Sequence, residues 1–184
     1  MNDRYKAFSV STPRDCPQDV LEKLKGLAMR LGNMGYTARL GGAPDGSDQA
    51  VETNSIKVEL YFPWKKFLKR QSDMPVPGEE GIGKEAVDLA KRFHPAYDKM
   101  TEVVQKMIAR TSFQIMGANL RDPIKFLVCW SPDGAESSKD RTAKTGVAGQ
   151  AISIASSISI PIFNLKNPDA MDRLNSYLSL HSED

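Results

Sequence analysis

Cysteine and histidine are both scarce in this chain, at two residues each among 184. Cys16 and Cys129 stand in unrelated contexts without metal-ligand spacing, which excludes a disulfide framework and a cysteine-based zinc site and points to reduced, cytoplasmic thiols. Charge of one sign is lacking as well. Twenty-five basic residues against 23 acidic ones leave a formal net charge of +2, so there is no global basic field to make nucleic acid the default partner. No apolar run approaches the roughly 20 residues that span a bilayer. The opening Met1-Asn-Asp-Arg-Tyr-Lys6 lacks the apolar core of a signal peptide. The expectation is a soluble, unsecreted protein without a membrane partner. Internal repeats and compositionally biased tracts are also missing. At this length the chain reads as one domain over 1–184, with a loop and helical insertion at about 65–120.

What is present is an alternation of strands and helices. Ala7–Ser11 has strand character and stops at Thr12-Pro-Arg-Asp15. Val20, Leu21, Leu24, Leu27, Ala28 and Leu31 then recur at helical spacing until Gly32 and Gly35. Tyr36–Leu40 predicts a second strand, followed by a short helix carrying Ala50 and Val51 with Ser47 or Asp48 as its cap. Lys57–Phe62 alternates as a third strand and ends at Pro63. Helical spacing returns over Ala86–Phe93 and again over Tyr97–Ile108, with His94-Pro95 between. Ile124–Trp130 is a continuous apolar run that suits a parallel strand covered on both faces. A helix over Ile152–Ser157, a strand at Ile160–Leu165 and a last helix over Asp169–Leu180 complete the pattern. The fold class expected is α/β: a Rossmann-like three-layer sandwich with a mainly parallel sheet of about five strands flanked by helices. In such sheets the strand-to-helix loops share one edge, where ligands bind at the topological switch point.

Two of those loops are rich in glycine. Leu40-Gly-Gly-Ala-Pro-Asp-Gly-Ser-Asp48 follows the second strand, and Thr145-Gly-Val-Ala-Gly-Gln-Ala151 opens the fifth helix. Gly41, Gly42 and Gly46 in the first and Gly146 and Gly149 in the second suit close approach of a phosphate to backbone, or positive φ in a tight turn. Arg14 and Arg110 are candidate phosphate partners, and Trp64 is a candidate stacking surface for a base. Asp45 and Asp48 are placed to meet ribose hydroxyls, with helix capping as the alternative for Asp48. Ser11, Thr12, Ser131, Thr145 and Gln150 complete the candidate ligand-binding set. His94 reads as a structural hydrogen-bonding residue, and no metal or cofactor is expected.

The order of motifs resembles the superfamily that groups DprA/Smf, the LOG phosphoribohydrolases and related Rossmann-like proteins, often called SLOG, in its phage and bacterial DprA-like branch. The residues carrying the resemblance are Ser11-Thr-Pro-Arg14, Gly41-Gly-Ala-Pro-Asp-Gly-Ser-Asp48 with Glu52, Leu60-Tyr-Phe-Pro-Trp-Lys65, Arg92-Phe-His-Pro95, Val128-Cys-Trp-Ser-Pro132, Thr145–Ala151 and Ile160–Leu165. The resemblance implies a nucleotide pocket flanked by the two glycine turns, and a homo-oligomer. LOG enzymes carry P-G-G-x-G-T-x-x-E at the second turn. This chain has valine at a common glycine position, glutamine for the threonine and serine near the glutamate. The leading functional expectation is therefore a binding protein for a nucleotide or nucleotide-derived small molecule, non-catalytic or weakly catalytic, acting as a phage-encoded sensor or sequestering protein. Two alternatives stand beside it. One is an N-glycosidic phosphoribohydrolase acting on a nucleoside monophosphate, with Glu52 as its catalytic carboxylate. The other is a DprA-like single-strand DNA-binding recombination mediator, which near-neutral charge and few clustered aromatics disfavour.

Overall fold

A computed structural model of the chain describes residues 5–181. The strands are β1 (Ala7–Ser11), β2 (Thr37–Leu40), β3 (Lys57–Leu60), β4 (Phe126–Cys129) and β5 (Ile162–Asn164). They form one all-parallel five-stranded sheet in the order β3-β2-β1-β4-β5. Six α-helices flank it: α1 (Gln18–Asn33), α2 (Gly46–Glu52), α3 (Ile82–Phe93), α4 (Glu102–Met116), α5 (Ala148–Ser157) and α6 (Ala170–Leu180). None of the described helices is long and apolar enough to cross a membrane.

Period-2 alternation sends successive side chains of each strand to opposite faces. Phe8, Val10, Ala38, Leu40, Phe126 and Val128 face α1 and α6, where Leu24, Leu31 and Leu174 close the layer. Phe8 stacks on Phe126 with centroids 5.9 Å apart, and Tyr36, Phe163 and Tyr177 pack around Phe126. Ala7, Leu127, Cys129 and Ile162 face the other way and meet Ile115 of α4 and Ile152 of α5. Core on both sides explains why β4 is apolar throughout. Buried on the α4 side, Arg39 pairs with Glu59 at 3.0 Å and donates to the Asp122 carbonyl at 2.6 Å, which satisfies a charge the sheet would otherwise strand.

Several expected boundaries shift. Tyr97 belongs to a separate 3-10 turn, and α4 begins only after Thr101, whose hydroxyl accepts from the Val104 N–H. α5 starts at Ala148, so Gly149 and Gln150 lie inside the helix and not in the turn ahead of it. α2 has Asp45 at its N-cap position with no side-chain cap; Asp48 accepts instead from the Ala43 N–H at 3.0 Å and so ties the glycine turn down. The stretch after β3 is organised by a 3-10 turn at Phe67–Lys69.

The chain builds outward from β1 to β3, then crosses back to place β4 on the other side of β1. Connections leaving β1 and β4 therefore diverge, and their carboxyl ends bound a crevice.

Candidate functional site

A cleft of about 130 Å³ opens at this carboxyl edge. Its walls come from Val10–Arg14 after β1, from Ala43 and Asp45–Asp48 at the start of α2, from Arg110, Thr111 and Gln114 of α4, and from Val147 of the second glycine turn. Of the residues expected from sequence, Ser11, Thr12, Arg14, Asp45, Gly46, Asp48 and Arg110 are brought together here. Gly41, Gly42, Trp64, Ser131, Thr145, Gly146, Gly149 and Gln150 are not among the lining residues.

Arg110 is the partly buried cation of the site. Its guanidinium lies flat against Gly41, donates from Nη1 to the Gly41 carbonyl at 2.7 Å, and sits 5.7 Å from the Phe67 ring centroid on another side. Among the described residues no carboxylate lies within ion-pairing distance of it. Burial lowers its proton affinity, and the charge of Asp48 works against that shift. For the Asp48 carboxyl, burial raises the pKa against the opposing pull of the Ala43 N–H and the Arg110 charge. At the mouth, exposed Arg14 and Asp45 approach to 3.6 Å, a contact of little energetic weight in water.

Three neutral groups in the cleft are also unpaired. Ser47 and Gln114 are only 4% and 8% exposed, and among the described residues neither side chain makes a hydrogen bond. The Thr12 hydroxyl is buried without a hydrogen-bond partner. For the Thr12 hydroxyl, out of reach of solvent, the missing hydrogen bond costs about 1–3 kcal/mol, whereas the Ser47 and Gln114 polar atoms keep some access to water at the cleft. A ligand with complementary atoms would remove that cost. Sequence reasoning missed Ser47 as a ligand-facing group and Gln114 altogether. The signal for Gln114 was available, since it stands one helical turn after Arg110 and so on the same face of α4.

The turn glycines divide into two kinds. A Cβ on Gly41 would lie 2.7 Å from Arg110 Cζ, on Gly42 2.4 Å from the Phe62 ring, and on Gly149 2.6 Å from Arg141 Nη2. These three make room for protein side chains and not for a ligand. Gly46, at φ 64°, and Gly146, at φ 58°, meet nothing closer than 3.9 Å and carry the left-handed backbone of their turns.

The remaining candidates are occupied elsewhere. Glu52 is ion-paired with Arg70, which also reaches the Gly42 carbonyl, so this carboxylate faces the loop after β3. Trp64 packs edge-on against Phe67 at 5.2 Å. Ser131 and Thr145 donate to Asp133, as does Thr142, and buried Asn164 donates to the Ser131 hydroxyl at 2.8 Å. Partial burial would raise the Asp133 carboxyl, but the hydrogen bonds from Thr145, Ser131, Thr142 and the Ala135 N–H outweigh it and hold the group well below the usual carboxylate range. Gln150 donates to the Ala90 carbonyl at 3.1 Å. His94 departs from expectation: its Nδ1 is buried without a partner, and burial together with nearby Arg141 disfavours its charged form. Among the described residues no group of three His, Cys, Asp or Glu side chains is placed to hold a metal ion.

Fold and cleft together define a Rossmann-like parallel α/β protein with a polar crevice at the carboxyl ends of β1 and β2. No protein-family model matches the chain, and neither a curated protein nor a solved structure matches it.

Proposed function

We propose that this protein binds a nucleotide or nucleotide-derived small molecule in the cleft at the carboxyl ends of β1 and β2, as a sensor or sequestering protein of the SLOG type. The observation that carries the reading is Arg110: a partly buried guanidinium with no ion-pairing partner among the described residues, lining a cleft where the Thr12, Ser47 and Gln114 side chains also make no hydrogen bond. Asp48 offsets part of the Arg110 charge without pairing with it directly, and a planar guanidinium with free donors suits a phosphate bidentately. The position at the carboxyl edge of a parallel sheet supports the same reading.

A hydrolytic role receives less support. Glu52, the carboxylate expected to act, is engaged by Arg70 and does not line the cleft. The carboxylates at the cleft are Asp45, exposed at its mouth, and Asp48, spent on the Ala43 N–H.

Calorimetric titration of the protein with AMP and with ADP-ribose tests the proposal. Binding of either is expected, and Arg110→Ala, with its circular dichroism unchanged, should weaken it by about tenfold to a hundredfold, the usual worth of a charge-assisted hydrogen bond. An Arg110→Ala variant that binds as tightly as the parent would overturn the assignment of the anion site.

A further inference from the structure

We infer that the cleft reads the sugar-phosphate end of its ligand and leaves the base unread. This rests on the reading of the cleft as a phosphate-ligand site and specifies which part of the ligand is recognised. Size is the first argument. At about 130 Å³ the cleft has less than half the volume at which small-ligand pockets ordinarily begin, roughly 300 Å³. It admits a phosphate and a pentose more readily than a whole nucleotide.

The chemistry of the walls agrees. Among the described residues no aromatic side chain lines the cleft: Phe67 is covered by Arg110, and Trp64 is turned onto Phe67. Recognition of a base without sequence-like readout relies on such faces for stacking, and none is offered. What is offered is two arginines, Arg14 and Arg110, two carboxylates, Asp45 and Asp48, and small polar groups. Arg110 supplies charge for a phosphate, and the Thr12 and Ser47 hydroxyls supply short donors. Gln114 stands four residues further along α4, which sets it about 6 Å from Arg110 along the helix axis. An amide both donates and accepts, as a sugar hydroxyl also does, so Gln114 is matched to a ring hydroxyl of a pentose whose 5-phosphate rests on Arg110. Val10 and Val147 give the ring an apolar contact.

The test compares affinities for ribose 5-phosphate, AMP, GMP, UMP and inorganic phosphate by calorimetry. Ribose 5-phosphate should bind within about threefold of all three nucleotides, and inorganic phosphate at least about tenfold more weakly. Gln114→Leu, which keeps the volume of the side chain, should weaken ribose 5-phosphate by about tenfold and leave inorganic phosphate unchanged. Nucleotide affinities that differ by more than about tenfold among bases, or AMP binding without ribose 5-phosphate binding, would overturn the inference while leaving the proposed function intact. Absence of binding by every phosphorylated probe would overturn both.

Discussion

A small number of side chains decide what this fold can bind. Arg110 is held by Gly41 and Phe67 with no carboxylate in direct ion-pair contact among the described residues, although the charge of Asp48 acts on it across the cleft. Gln114 and Ser47 stay unpaired at the same cleft. Asp133 shows the opposite condition. It gathers hydrogen bonds from Ser131, Thr142, Thr145 and the Ala135 N–H, and so pins the loop after β4 to the second glycine turn. Its carboxyl lies below the ordinary value of 3.8 in the folded state. The fold therefore favours the ionised form, and the stability this contributes is complete above the unfolded value and is lost as pH falls through the folded one. Asp133→Asn should cost about 2 kcal/mol near neutral pH. In urea unfolding followed across pH, the gap between parent and variant should narrow below about pH 4. A gap that did not change with pH would show that Asp133 acts through shape and not through charge.

At the scale of elements, much was legible and the exceptions have causes. Apolar alternation and spacing located every strand, and the continuous apolar run Phe126–Cys129 follows from core on both faces of β4. Boundaries moved where local hydrogen bonding took over, at Thr101 before α4 and at Ala148 in α5. The glycine turns were readable as turns but not by their use. Whether a glycine admits a ligand or a neighbouring side chain depends on contacts between residues distant in sequence, such as Gly41 with Arg110 and Gly149 with Arg141. The same reason hid the pairing of Glu52 with Arg70 and the packing of Trp64 on Phe67. Two alanine substitutions separate the kinds of glycine. Gly42→Ala combines a φ of 74° with a ring carbon 2.4 Å from the new Cβ, and should destabilise by about 2–4 kcal/mol. Gly46→Ala has a φ of 64° but open space, and should cost about 1 kcal/mol. Equal costs in thermal unfolding would contradict this division of the first turn.

For the whole molecule, the strand order β3-β2-β1-β4-β5 brings the cleft into being. It sets the end of β1, the turn after β2 and the face of α4 around one crevice, although these segments are separated by up to a hundred residues in the chain. We propose that this crevice holds a phosphorylated ligand through Arg110. Thermal unfolding of the parent and of Arg110→Ala, each with and without ribose 5-phosphate and AMP, tests it most directly. A ligand at about a hundred times its Kd adds about 2.7 kcal/mol, which for a chain of this length raises Tm by roughly 5–10 °C. Such a rise is expected for the parent with both ligands and a much smaller one for Arg110→Ala. No rise in the parent, or an equal rise in the variant, would contradict it.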